Sequence, residues 1–446
     1  MTTQVINREK FLPNLVSQFR QLGKGKRETC AYGLNDLRDI ATEYVLAAAF
    51  PTTKDEEWRF TNLSPLLEIP FQVAENKQLD VGLSDITLPV SSKEDLPLRL
   101  VFVNGYYAPQ LSSVQSSLLP TLALEFYAGN LSNAPGPYHA RIREHLSKHQ
   151  QQSEVFSALN IAGLVDAAVV FVPQNKAIDT PIHLLFFTIA GATPVMCQPH
   201  CLVIAEPGSS ITLVEDYATI GNVSTFTNAM TEIVVGENAT VNHLRIQREG
   251  GDAFHIGKST ISQSRHSRYT CHAISLGAKI SRHNLEVTQA GEGTETTLNG
   301  LTLIGGEQLA DTHSVIGFNH PHGMSRQLHK CIVDDKAHAV FNGKVFVPKL
   351  AQLTDAGQLN RNLLLSPKAR IDTKPQLEIV ADNVKCSHGA TVSQLEDDEM
   401  FYLQSRGLDE TTSRHLLIDA FAAEILNQLP VAAVRVMLAR IVASRT

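Results

Sequence analysis

Val170-Phe171-Val172-Pro173-Gln174-Asn175, Val203-Ile204-Ala205-Glu206-Pro207-Gly208 and Ile233-Val234-Val235-Gly236-Glu237-Asn238 are three versions of one pattern: an apolar strand end, a polar turn, then another short strand. Ile332-Val333-Asp334-Asp335-Lys336, Leu364-Leu365-Ser366-Pro367-Lys368 and Ile379-Val380-Ala381-Asp382-Asn383 repeat it further on. Short Val- and Ile-rich runs bounded by turn residues, with no helical segments between them, imply an all-β core. The loosely repeating turn points to a solenoid, because each coil buries its apolar face only against the next. A right-handed parallel β-helix over residues 160–394 is the preferred reading. The turns are irregularly spaced, so the pattern alone also leaves a pair of β-sandwiches open.

The flanks are different in character, which makes the fold mainly β with helical regions at both ends. Residues 1–159 read as mainly helical. Phe11, Leu15, Val16, Phe19 and Leu22 recur at helical spacing, and Asp36 to Phe50 is rich in helix formers until Pro51 stops it. Glu56-Glu57-Trp58-Arg59-Phe60 holds the only tryptophan, read as a packing anchor. Leu98–Val103, turning at Asn104-Gly105, reads as a hairpin. In residues 395–446, Thr411 or Thr412 caps a helix whose faces Leu416, Leu417, Ala420, Phe421, Glu424 and Ile425 mark. Pro430 separates it from a last helix, Val431 to Val442, with Val434, Met437, Leu438 and Ile441 on one side. This helix pair either caps the solenoid or docks a partner, and Leu416, Leu417, Phe421 and Ile425 are the candidate docking residues.

Composition narrows the function. The 446 residues are 43% apolar with a net charge of -7, enough for a large core and without a basic run for nucleic acid. No apolar stretch is long enough to span a membrane, and Met1-Thr2-Thr3-Gln4 does not open a secretion signal. Six cysteines (Cys30, Cys197, Cys201, Cys271, Cys331, Cys386) in so long a chain fit a reducing compartment better than a disulfide scaffold. There is no P-loop, no dinucleotide fingerprint, no His-Glu-x-x-His and no Gly-x-Ser-x-Gly, so if ATP drives this protein's work, another chain binds it. A carbohydrate-active enzyme on a β-helix would need a secretion signal and a row of charged residues along a groove. Neither is visible.

The remaining chemistry lies with Cys and His. His145 and His149, four apart, read as a solvated helix face, since no third ligand lies near. Cys197-Gln198-Pro199-His200-Cys201 reads as core filler at a strand start. His313, His320, His322 and His329 form a tempting cluster, yet His320-Pro321-His322-Gly323 has turn composition. Lys385-Cys386-Ser387-His388-Gly389-Ala390-Thr391 is stronger. Alternation puts Cys386 and His388 on one face of a strand, a thiol and an imidazole suited to iron or an iron–sulfur cluster. Lys385 is near enough to lower the thiol pKa, though alternation points its own side chain to the other face. Two ligands do not close a four-coordinate site, so the rest come from elsewhere in the chain or from another subunit. A buried Cys beside a hydrogen-bonded His is the plainer reading of the same spacing.

At these residues the chain resembles a known family. Asn360-Arg361-Asn362-Leu363-Leu364-Leu365-Ser366, Lys374-Pro375-Gln376-Leu377-Glu378-Ile379 and Val384 to Thr391 are similar to the signature block of the SufB/SufD family, and Gln327-Leu328-His329-Lys330 and Val340-Phe341-Asn342-Gly343-Lys344 fit it upstream. Glu57-Trp58-Arg59-Phe60-Thr61, Asn160-Ile161-Ala162-Gly163-Leu164 and the Cys-Ser-His-Gly form of the motif resemble its D branch; the B branch carries Glu-His-Glu there. The resemblance implies a central right-handed β-helix between helical ends. It implies pairing with a B-type sister scaffold (SufB) through the β-helices, and docking of the ABC-type ATPase SufC through the C-terminal helices. The complex would take sulfur from a cysteine desulfurase system, assemble a nascent cluster and pass it on. His388 matches the histidine that the D subunit places at the interface, and Cys386 the accompanying cysteine. A nascent cluster or iron would be held there transiently, with no tightly bound cofactor. Self-association as a homodimer, and a place in a bacterial cytoplasm or plastid stroma, are further implications. The alternative is a purely structural partner of SufB with no ligand role.

Overall fold

The computed structural model describes residues 8–23, 34–75, 98–113, 126–147 and 154–445; Cys30 and His149 lie outside them. Its core is a flattened parallel β-helix. Among the described residues, each coil lays one strand in a first sheet of 11 strands, ending at Arg370–Ile379, and one in a second sheet of 10, ending at Lys385–Ser393. Phe226, Phe254, Ile280, Leu309, His338 and Arg370 stack one above another. The step is shorter from Phe254 to Ile280 than from His338 to Arg370, which is why the turns look irregular in sequence. Among the described residues only the pairs Leu98–Val103 with Tyr106–Tyr107 and Tyr127–Asn130 with Ala168–Val172 are antiparallel, which excludes the sandwiches. The hairpin strand Leu98–Val103 also pairs in parallel with Ile182–Ile189, so part of the N-terminal region extends the solenoid. Conversely, Asn160 lies inside a helix, Val155–Ala162, on the outer face of the first sheet. Its amide donates to the carbonyls of Pro199 (3.0 Å) and Asn228 (2.7 Å).

The repeated turn has one cause. Where the chain passes from the first sheet to the second, every coil but the last has one left-handed residue: Asn175 (φ 59°), Gly208 (69°), Asn238 (57°), His266 (53°), Gly293 (64°), His322 (61°) and Leu353 (60°). Each donates its N–H to a carbonyl of the next coil, for example Gly208 to Glu237 at 2.8 Å and His322 to Gln352 at 3.0 Å. Gly and Asn tolerate this conformation best, which explains the motif ends read from sequence.

Both outer faces are covered. Helices Arg8–Gly23, Leu34–Ala47 and Val155–Ala162 pack on Phe226, Phe254, Ile256 and Ile280 of the first sheet. Over the second sheet lie Val214, Leu244, Ile246, Ile274 and Leu301, sealed by Ile418, Ala422, Ile425, Val434 and Leu438 of the C-terminal helices. There are three such helices, Asp397–Ser405, Glu410–Leu426 and Ala432–Arg445, where sequence reading expects two. The second is capped by Asp409, whose carboxylate accepts from Thr412 N–H at 2.7 Å, not by Thr411 or Thr412.

The lumen is not uniformly apolar. Glu215, Tyr217, His243 and Arg245 lie on its wall, fully buried. His243 Nε2 sits 2.9 Å from Glu215 Oε2, and Arg245 donates to His255 Nε2 at 2.5 Å while stacking on Tyr217. Burial alone would neutralise this pair. The contacts with Cys271 and Glu215 outweigh it and raise the His243 pKa to about 10, and His243 with Arg245 holds Glu215 down to about 2. A histidine raised on folding contributes stability that is complete below its unfolded pKa of about 6.5 and is lost as pH rises through 10. Denaturant midpoints should therefore fall from pH 7 to 10. The variant His243→Gln with Glu215→Gln should show a much flatter alkaline limb, and an unchanged slope would refute the ion pair.

Candidate functional site

The last coil differs from all before it. Neither Arg370–Ile379 nor Lys385–Ser393 contains a fully buried residue, because no further coil stacks on them. Each pairs on one side only, leaving two unsatisfied ladder edges side by side. The first edge lacks one donor at Pro375; the second contains no proline.

His388 and Cys386 stand on the second edge strand, opposite Gln358 and Ala356. Ala356 belongs to the lumenal core, so both side chains continue the inner wall, as alternation requires. His388 is nevertheless exposed, since it sits at the open mouth of the solenoid. Cys386 is half-buried against the core; burial, with a smaller contribution from Asp355, pushes its thiol above the ordinary value. Lys385 lies on the opposite face, as alternation requires, and does not lower the thiol: desolvation prevails. An open groove of ≈ 750 Å³ runs beside the pair, with Gly357 and Gly389 in its floor and Arg326, Asp355 and Lys385 along it. Sequence reading missed the mouth's amides. Gln358 donates to Gln327 Oε1 at 2.8 Å, and its own Oε1, like Asn362 Oδ1, is buried without a hydrogen-bond partner. Only the coil register, not local sequence, brings Gln358 and Gln327 beneath His388 and Asn362 beneath Val392.

The other candidates are separated by the fold. Cys197 is buried against Thr188 (2.8 Å), and burial pushes its thiol up to about 12, as suits core filler. His322 is a turn residue. His329 lies in the lumen against Phe341 (5.1 Å), where burial lowers its pKa to about 4. His313 instead joins an ion cluster on the outer face of the first sheet. Among the described residues no group of three His, Cys, Asp or Glu side chains is placed to hold a metal.

That cluster fastens a strap, Glu56 to Thr61, across four successive coils. Trp58 is buried against Phe156 (5.3 Å), with the Arg282 guanidinium 3.9 Å above its ring. Arg282 Nη1 donates to Glu57 O (2.7 Å) and to Asp311 Oδ2 (2.5 Å), and Thr61 donates to the same carboxylate oxygen (2.5 Å). His313 bridges Asp311 (2.9 Å) and Glu57 (3.1 Å), Phe60 meets His338 edge-on, and Glu56 pairs with Lys374 on the terminal coil.

Of the candidate docking residues, Ile425 is corrected: it is fully buried between helix and sheet. Phe421 is half-buried and pinned, its ring 4.0 Å from Lys330 Nζ, which also donates to the Phe421 carbonyl at 2.7 Å. Leu417 is half-buried and Leu416 is exposed. The larger exposed apolar groups are Phe401 (71% exposed) and Tyr402 (58%), on a helix with no buried residue. No helix among the described residues is long and apolar enough to cross a membrane.

Comparison with known proteins agrees with the architecture. Residues 187–421 match the family described as SUF system FeS cluster assembly, SufBD core domain, and residues 10–184 match the SufBD protein N-terminal region. An iron–sulfur cluster assembly SufBD family protein of Synechocystis is 48% identical, covering 92% of this chain and 90% of its own. A chloroplastic protein of Arabidopsis thaliana is 35% identical (89% and 83% covered), and the iron–sulfur cluster assembly protein SufD of Escherichia coli is 31% identical (87% of both). The chain thus belongs to the SufB/SufD family of the SUF iron–sulfur cluster assembly system, on its SufD branch.

Proposed function

We propose that this chain is the D-type scaffold subunit of a SufBCD-like complex, acting in a bacterial cytoplasm or plastid stroma. The observation that carries the reading is the open terminal coil: two unpaired strand edges with His388 exposed between them and the lumen. A strand edge is completed by another strand, so a B-type sister solenoid is a fitting partner. A second copy of this chain could occupy the same edges when the sister is absent. At the closed interface His388 supplies a neutral nitrogen ligand, and the sister supplies thiolate or carboxylate, to iron or a nascent cluster that is cargo. Cys386, with its raised pKa, is the weaker ligand of the two. The SufC-type ATPase docks on the C-terminal helices and drives the exposure and closure of this interface by binding its two states differently.

Phe401 and Tyr402 replace Ile425 as the expected anchors. Affinity capture of the tagged chain from its native extract should recover a sister scaffold and an ATPase. Phe401→Ser with Tyr402→Ser should lose the ATPase by more than tenfold while keeping the sister. Ile425→Ala should instead lower stability by about 2–5 kcal/mol, as a buried aliphatic truncation does. Capture of the chain with no ATPase would sink the proposal.

A further inference from the structure

The left-handed corner residue is small or polar in six successive coils and then changes. The left-handed residue is Asn, Gly or His from Asn175 to His322, flanked by residues such as Gln174, Glu237 and Arg265. In the next coil it is Leu353, a branched side chain held at φ 60° and 48% exposed, with Leu350 beside it at 78%. The terminal coil continues the change: Ile379 and Val380 are exposed at the same corner. Leu353 N–H bonds Asn383 O at 2.7 Å and Val380 N–H bonds Val347 O at 2.8 Å, so these corners stack directly. Leucine is poorly suited to this backbone, and exposure gives it no burial in return. Asparagine, used by two earlier coils, would relieve both faults.

We propose that Leu350, Leu353, Ile379 and Val380 form an apolar contact that the partner solenoid covers when it pairs with the terminal coil. The inference rests on the reading of that coil as a pairing edge. The occupant follows from continuity: Ile379 is the last residue of the edge strand Arg370–Ile379, and Val380 is the next residue. A solenoid end aligned along that edge reaches the corner as well. The change begins only in the penultimate coil, where an end-on partner comes within reach, and not at the six corners before it. Covering exposed apolar groups removes their surface from water, a contribution that the ladder hydrogen bonds do not make.

The test uses the full chain and its B-type sister scaffold. Leu350→Ser with Leu353→Asn should weaken pairing at least tenfold in a binding titration, while the melting temperature stays level or rises by about 1–2 °C. Val392→Asp, on the terminal strand itself, is the control for the edge. If Val392→Asp weakens pairing and the corner variant does not, the corner contact is refuted and the edge reading stands. If neither weakens pairing, the edge reading falls and the corner contact with it. If the corner variant weakens pairing only together with a lowered melting temperature, the leucines are structural and the proposal is overturned.

Discussion

His388→Ala should leave the chain folded and paired, yet reduce cluster formation by about tenfold or more, the scale on which removing a metal-supporting group acts. The side chain is exposed at the mouth of the solenoid, so its loss removes little packing, and surface substitutions of this kind stay within about 0.5 kcal/mol of the parent. A fall in activity therefore reads as a lost ligand and not as a lost fold. The measurement is iron and acid-labile sulfide per complex after reconstitution, taken beside subunit composition and melting temperature. Cys386→Ser should cost less, because the thiol is half-buried and its pKa is raised. Full cluster formation by an intact His388→Ala complex would leave the purely structural partner as the surviving account.

The solenoid was legible because its turns obey local rules. Asn175, Gly208 and Asn238 announce a left-handed residue through their own chemistry, and the strand ends before them are apolar in both directions. Leu353 carries no such signal, since nothing in a leucine suggests that backbone. Alternation was legible at Cys386 and His388 but did not say which face is the lumen. In Val214-Glu215 and Leu244-Arg245 the apolar residue points outward, under the C-terminal helices, and the charged one inward. The same ambiguity misplaced Ile425. In the helix Glu410–Leu426, Leu417, Phe421 and Ile425 follow one another at four-residue spacing along one side, with Leu416 on another, and only the sheet beneath it decides which of them is covered. The strap lay furthest out of reach. Trp58 reads as an anchor, but its partners Arg282, Asp311 and His313 stand in coils far along the chain, and no local period connects them.

Asp311→Ala should cost about 3–5 kcal/mol, the scale on which breaking a buried pair leaves an uncompensated charge. Asp311 is the hub of the strap: it accepts from Thr61 and Arg282 and faces His313, and all of these groups are buried or nearly so. Burial by itself would raise its carboxyl, but Arg282 and His313 outweigh that and hold the pKa at about 2, below the ordinary 3.8. A carboxylate depressed on folding contributes stability that is complete above its unfolded pKa and is lost as pH falls through the folded one. The shift corresponds to about 2 kcal/mol, lost between roughly pH 4 and 2. Trp58 reports the event directly, as the only tryptophan in the chain, held between Arg282 and Phe156. In Asp311→Ala its emission should shift to the red at neutral pH, and the denaturant midpoint should drop. Thr61→Val should shift the midpoint in the same direction by about 1–3 kcal/mol, one hydrogen bond to a charged group. Because the strap also holds Lys374 on the terminal coil through Glu56, its release should loosen the pairing edge, read as faster amide exchange in Arg370–Ile379. An Asp311→Ala protein with unchanged Trp58 emission and midpoint would show that the strap is held by packing alone.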